Sequence, residues 1–122
     1  MRRGRVSPED LKLLFICSRN QWRSPTAERL FGGVPGVEAR SAGMEPGARV
    51  RVTAGLLGWA DRIFVMERKH AAYLRDRFGE ELAGREVDCL HVPDEWVADD
   101  PELIGELLGA LSGRLPEEIL PG

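Results

Sequence analysis

The sequence has little of what marks several specialised protein classes. Two cysteines, Cys17 and Cys89, are too few for a disulfide scaffold, and we expect a reducing, cytoplasmic location. No apolar run approaches the ~20 residues of a membrane-spanning helix, and no apolar stretch follows the basic residues 2–5 as in a secretory signal. Basic residues do not exceed acidic ones, 17 against 20, so the net charge is −3. We therefore expect neither a membrane nor a nucleic acid as partner.

The remaining composition is that of a globular protein. Of the 122 residues, 43% are hydrophobic and 30% are charged, which predicts a single domain over 1–122, with 1–10 as a loose lead-in. The chain has one asparagine and one glutamine, and they are neighbours, Asn20-Gln21.

Short apolar runs alternate with segments of helical periodicity. The predicted strands are 11–17, 37–43, 63–66 and 87–92, and the predicted helices begin at 24–25, near 52, after 67 and at 100–101. For the first helix, Ser24 is the predicted N-cap, Pro25 the first helical residue, and Gly32-Gly33 the end. This alternation predicts an α/β fold: a doubly wound, four-stranded parallel sheet with helices on both faces and strand order 2-1-3-4.

The loop after the first strand carries the clearest chemical pattern. Cys17 and Arg23-Ser24 stand in a C-x5-R-S arrangement between a strand and a helix start. Backbone N–H groups and a helix N-terminus at such a turn bind a tetrahedral oxyanion and favour a cysteine thiolate. Cys17 is then the nucleophile, Arg23 binds two phosphate oxygens, and Ser24 donates to the thiolate leaving group. The predicted phosphate-binding loop is Ser18, Arg19, Asn20, Gln21, Trp22, Arg23 and Ser24. The alternative reading makes Cys17 a core residue and Arg23 a solvated charge.

These residues resemble the low-molecular-weight protein tyrosine phosphatase family. The resemblance lies in Leu14-Phe15-Ile16-Cys17, Asn20 and Arg23-Ser24-Pro25-Thr26-Ala27-Glu28, and continues in Ser41-Ala42-Gly43 and 63–67. It implies a flavodoxin-like sheet, a cysteinyl-phosphate intermediate, and neither a metal nor an organic cofactor. The sequence departs from the family at Arg19, where the family has Gly, at Gln21, where it has an apolar residue, and at Trp22, where it has a second Cys. In these respects it is similar to a shorter bacterial offshoot with S-R-N-x-x-R-S-P loops.

Hydrolysis of a phosphate ester needs an acid that protonates the leaving oxygen. By resemblance to the family's D-P-Y motif, Asp94 in Val92-Pro93-Asp94-Glu95-Trp96 is the first candidate, and Trp96 is the aromatic wall beside the substrate. Asp99, Asp100 and Glu95 are the alternatives, although Asp100-Pro101 also fits a helix start. Asn20, which tolerates a left-handed backbone, and Ser41 form the supporting network that the resemblance implies.

The other candidates are interpreted as structural. His70, on a charged helix face, and His91 are surface or core residues, and Cys89 fills the core; no metal-ligand spacing occurs. The leading hypothesis is a phosphomonoesterase acting on phosphotyrosine in proteins or on small aryl phosphates. A non-catalytic oxyanion-binding module and, with Cys89 as the only second thiol, a thiol-dependent arsenate reductase are the alternatives.

Overall fold

The apolar run at 11–17 forms the central strand of the sheet. In the computed structural model, which describes residues 10–121, this strand, β1 (Leu11–Cys17), is buried over its last five residues. It pairs in parallel with β2 (Val37–Gly43) on one side and β3 (Arg62–Val65) on the other, and β4 (Val87–Cys89) pairs in parallel with β3. The order β2-β1-β3-β4 confirms the predicted order.

Helices cover both faces of the sheet, as predicted. They are α1 (Arg23–Leu30), α2 (Ala54–Trp59), α3 (Arg68–Arg77) and α4 (Pro101–Leu111), and a 3-10 turn follows at Glu117–Ile119. Because side chains alternate along a strand, Leu13 and Phe15 of β1 pack with α1 and α4, whereas Leu14 and Ile16 pack with α2 and α3. On the first face, the ring of Phe15 stacks on that of Phe64, with centroids 5.5 Å apart.

The structure corrects the predicted start of α1. The helix begins at Arg23, directly after Trp22, and Ser24 is its second residue instead of its N-cap. The Ser24 hydroxyl is drawn instead to Cys17 and Asn20. At α4, by contrast, the predicted start at Asp100-Pro101 is confirmed, since the Asp100 carboxylate accepts a hydrogen bond from the backbone N–H of Glu102 at 2.8 Å.

The fourth strand is also shorter than expected. The fourth strand has three residues instead of six, and beyond it His91 adopts a left-handed backbone with φ of 57°. The expected lead-in at 1–10 lies almost wholly outside the described residues. Within 10–121, no helix is long and apolar enough to cross a membrane.

The loop that follows β2 lies against the loop that follows β1. Backbone N–H groups of Met44 and Glu45 donate to the carbonyls of Cys17 and Ser18 at 3.0 and 2.9 Å. Gly43 sits where the two loops approach most closely: a Cβ built on it would lie 2.7 Å from the Ser18 carbonyl oxygen. The absence of a side chain at Gly43 therefore permits this contact.

We expect Gly43→Ala to destabilise the fold by about 1–3 kcal/mol, because the added methyl group overpacks the contact with backbone atoms of the neighbouring loop. The matched control is Gly47→Ala, where a Cβ would meet nothing within 4 Å and the expected change is under about 0.5 kcal/mol. Urea denaturation of both variants measures the difference. Equal midpoints for the two variants would contradict this account of the contact.

Candidate active site

The thiol of Cys17 lies at the carboxyl end of β1 and is hydrogen-bonded to a hydroxyl. Its Sγ is 2.9 Å from Ser24 Oγ, and the residue is only 3% exposed. Ser24 Oγ also lies 3.3 Å from the carbonyl oxygen of Ala42 and accepts a hydrogen bond from Asn20. The single hydroxyl proton therefore has two acceptors, and the closer one gains charge when the thiol ionises. This arrangement places the Ser24 hydroxyl where it can donate a hydrogen bond to Cys17 Sγ.

Asn20 stabilises the loop between β1 and α1 by hydrogen bonds on the side away from the pocket. Its backbone is left-handed, with φ of 57°, and its buried Nδ2 donates to both Ser24 Oγ and Ser41 Oγ at 2.9 Å. Ser41 in turn donates to the Glu28 carboxylate, and the Arg49 guanidinium donates to the Asn20 carbonyl at 3.1 Å. Both amide hydrogens of the chain's single asparagine are thus used to fix the loop's conformation.

Arg23 is a buried cation with one edge committed to the protein. The residue is 2% exposed, and its Nη1 donates to the Glu67 carboxylate and to the Val92 carbonyl, the latter at 2.9 Å. Burial tends to raise the pKa of Glu67, but the hydrogen bond and charge of Arg23 outweigh it and hold that pKa below its ordinary value. Within residues 10–121, the Nε–Nη2 edge makes no hydrogen bond; its nearest acid is Asp94, whose Oδ1 is 3.8 Å from Nε. Two parallel N–H groups on one edge of an arginine can bind an oxyanion bidentately, and this edge carries such a pair.

His70 belongs to the site, contrary to the expectation from the sequence. It is fully buried, which agrees with the expected core alternative but not with a position on an exposed, charged helix face. Its Nδ1 accepts from the backbone N–H of Glu67 at 3.0 Å, and its Nε2 lies 3.0 Å from Ser18 Oγ. Glu67 and His70 together form a capping box at the start of α3. The sequence could have shown this role, because Glu67 and His70 follow a buried strand at the spacing of a capping box. In the usual capping box, Glu or Gln stands at the position of His70.

These groups surround one pocket of about 210 Å³. Its lining residues are Cys17, Ser18, Arg19, Gln21, Trp22, Arg23, Glu45, Lys69 and Asp94. That volume suits a phosphate with one attached group rather than a bulky cofactor. Of the predicted loop residues, Asn20 and Ser24 do not line the pocket; both are buried beneath it.

The aromatic residue at the pocket is Trp22, not Trp96. Trp96 packs against the core between the sheet and the α1–α4 face, and its Nε1 donates to Glu102 at 3.2 Å. The structure therefore contradicts the prediction of Trp96 as a wall of the pocket. Trp22, which stands where the resembling family has a cysteine, is 41% exposed and lines the pocket instead.

Among the four candidate acids, the structure brings Asp94 to the pocket. Asp99 pairs with Arg29 at 3.1 Å, Asp100 caps α4, and Glu95 is exposed outside the pocket lining. Asp94 is carried there because the segment after β4 continues along β3, with the N–H of Val92 donating to the Met66 carbonyl at 2.9 Å.

The second thiol is separate from the pocket. Cys89 lies on β4, with its Sγ 3.6 Å from Nδ1 of His91, and it is not a lining residue.

At the rim of the pocket, Arg19 pairs with Glu45 at 3.3 Å, so the extra cation of this loop is partly neutralised by the neighbouring loop. Within residues 10–121 no three His, Cys, Asp or Glu side chains are grouped as metal ligands.

Solved structures share this architecture. The chain is similar to SP-PTP, a low molecular weight protein tyrosine phosphatase from Streptococcus pyogenes, with a TM-score of 0.69 and 17% identity over 88% of this chain and 95% of that one. It is also similar to the YwlE arginine phosphatase from Geobacillus stearothermophilus, with a TM-score of 0.58 and 21% identity over 85% and 94% of the two chains. No protein-family model and no curated protein matches the sequence. The chain thus has the fold of the low molecular weight phosphatases, as the resemblance predicted.

Burial of His70 predicts a loss of stability in acid. Burial first, and the charge of Arg23 second, lower the pKa of His70 from 6.5 to about 4. Between these pH values His70 binds more protons in the unfolded chain than in the folded one. The contribution of neutral His70 to the free energy of unfolding is therefore fully present above about pH 6.5 and is lost as the pH falls toward 4. The contribution is ~3 kcal/mol.

Urea denaturation at a series of pH values measures this effect. His70→Gln is expected to flatten the decline between pH 6.5 and 4, whereas the exposed His91→Gln control keeps it. A His70→Gln protein that loses stability in parallel with the unsubstituted chain would show that another group titrates.

Proposed function

We propose that this protein is a cysteine-dependent phosphatase that hydrolyses phosphotyrosine in proteins or small aryl phosphates in the cytoplasm. The observation that carries the proposal is the convergence, on one pocket, of the Cys17 thiol, the free edge of Arg23 and the Asp94 carboxyl. A nucleophile, a phosphate-binding cation and a proton donor are the groups that phosphoryl transfer to an enzyme requires.

The reaction follows from these positions. Cys17 Sγ attacks phosphorus, an S–P bond forms, and the bond to the leaving oxygen breaks while Asp94 gives that oxygen a proton. Arg23 stabilises the charge on the transferred group's oxygens. Water then attacks the cysteinyl phosphate as Asp94 takes up a proton from it, inorganic phosphate leaves, and Ser24 donates to the departing thiolate.

A phosphorylated arginine is the second candidate substrate. One structural neighbour, YwlE, is an arginine phosphatase, and two carboxylates, Glu45 and Asp94, line the pocket here. Carboxylates suit a guanidinium, whereas the exposed ring of Trp22 suits a phenyl ring. The ring and the carboxylates favour different substrates, so variants at Trp22 and Glu45 discriminate between them.

Catalysis is tested with an aryl phosphate and two aspartate variants. We expect Cys17→Ser to abolish release of phosphate and Asp94→Asn to reduce kcat by about 10²–10⁴-fold, because general acid catalysis has that magnitude. Asp99→Asn is the control, since its carboxylate pairs with Arg29 outside the pocket. Phosphate binding without Cys17-dependent turnover would indicate a non-catalytic oxyanion-binding module. Thiol-dependent turnover of arsenate would indicate an arsenate reductase.

The substrate is tested by comparing kcat/KM for phosphotyrosine and phosphoarginine peptides of the same sequence. If phosphotyrosine is the substrate, Trp22→Leu lowers its kcat/KM by about tenfold, the scale of one aromatic contact, and Glu45→Gln leaves it nearly unchanged. If phosphoarginine is the substrate, Glu45→Gln has the larger effect. A preference for phosphoarginine would overturn the tyrosine assignment while leaving the cysteine chemistry intact.

A further inference from the structure

Ser18 and His70 form a chain of hydrogen bonds that ends at the pocket. The N–H of Glu67 donates to Nδ1 of His70 at 3.0 Å, so Nδ1 is an acceptor and carries no proton. The ring's proton is therefore on Nε2, which lies 3.0 Å from Ser18 Oγ and donates to it. The neutral form of His70 is the one that burial favours, consistent with its lowered pKa.

This tautomer determines what the Ser18 hydroxyl can do. Because Oγ accepts from His70, its own proton must point elsewhere, and within residues 10–121 it has no acceptor. The Ser18 carbonyl is already taken by the N–H of Glu45 at 2.9 Å. Ser18 lines the pocket beside Cys17, and within residues 10–121 no protein acceptor uses its hydroxyl proton.

We propose that the Ser18 hydroxyl donates a hydrogen bond to an oxygen of the phosphate bound over Cys17, and that His70 is the positioning residue that sets the direction of that hydroxyl. The inference rests on the proposed function only in taking the bound anion to be the substrate's phosphate. A donor whose orientation is already restricted before the anion arrives needs less reorganisation during the reaction. Donors in series also polarise one another, which strengthens the last hydrogen bond of the chain.

The first test is equilibrium binding of inorganic phosphate to the full chain. Hydrogen bonds to charged groups give an expected loss of roughly tenfold or more in phosphate affinity for Ser18→Ala, with kcat/KM falling by at least the same factor. Ser18→Thr keeps the hydroxyl and is expected to retain most of the affinity. Ser112→Ala is the matched control, because Ser112 is an exposed residue at the end of α4. Unchanged phosphate affinity in Ser18→Ala would overturn the proposal.

The role of His70 is tested by a double-mutant cycle in phosphate affinity. If His70 acts through Ser18, His70→Gln weakens binding in the unsubstituted chain but adds little in the Ser18→Ala background. A general loosening of the loop would weaken binding equally in both backgrounds and overturn the positioning role. Nitrogen NMR of His70 in the unsubstituted protein needs no variant to fold: the Nε2-protonated tautomer is expected, with its Nε2 proton signal shifting when phosphate binds, and the other tautomer would overturn the proposal.

The binding and kinetic results separate the two proposals. Phosphate binding that depends on Ser18, in a chain without turnover, supports the hydroxyl donor and refutes the phosphatase. Turnover with full phosphate affinity in Ser18→Ala supports the phosphatase and refutes the hydroxyl donor. A chain that neither binds phosphate nor turns over an aryl phosphate refutes both.

Discussion

The site depends on the burial of one positive charge. A guanidinium withdrawn from water is costly unless it is paired and hydrogen-bonded, and Arg23 is 2% exposed. The groups that compensate its charge come from separate parts of the chain: Glu67, at the start of α3, and the Val92 carbonyl accept its hydrogen bonds, and Asp94, after β4, lies within ion-pair distance. Because these groups all contact the Arg23 side chain, they fix how α1, α3 and the segment after β4 lie around the end of β1.

Two kinds of interaction hold the pocket in shape, and they lie on different sides of it. Below the loop, the contacts of Asn20 with Ser24 and Ser41 are between uncharged groups. Beside the loop, Glu67 holds Arg23 through charge and His70 reaches Ser18 through its ring. Such an arrangement leaves the Nε–Nη2 edge of Arg23 and the hydroxyl of Ser18 turned to no protein acceptor within hydrogen-bonding distance in residues 10–121. In the proposed function, these are the groups that an entering anion would meet.

Local patterns succeeded where the physical cause is local. The apolar run of β1 predicted a central buried strand, because a strand covered on both faces needs apolar residues at nearly every position. Asn20 was expected where the backbone is left-handed, and Asp100-Pro101 where α4 begins. The prediction of Ser24 as the N-cap of α1 was wrong. A serine hydroxyl suits an N-cap, but in the folded chain this hydroxyl is hydrogen-bonded to Cys17 and Asn20.

The sequence by itself predicted the parallel sheet, and it brought Cys17, Arg23 and Ser24 into one short loop, because these features follow from hydrophobic periodicity and from closeness in the chain. The strand order was an expectation for a doubly wound fold, and the structure confirmed it. Only the tertiary structure decided that Trp22 and not Trp96 lines the pocket, that Asp94 and not Asp99 faces it, and that His70 supports it. The positions of Asp94 and His70 depend on contacts with Arg23 and Ser18, which lie far from them in the sequence. Helical spacing alone did not show that the side of α3 bearing His70 would be buried against the loop.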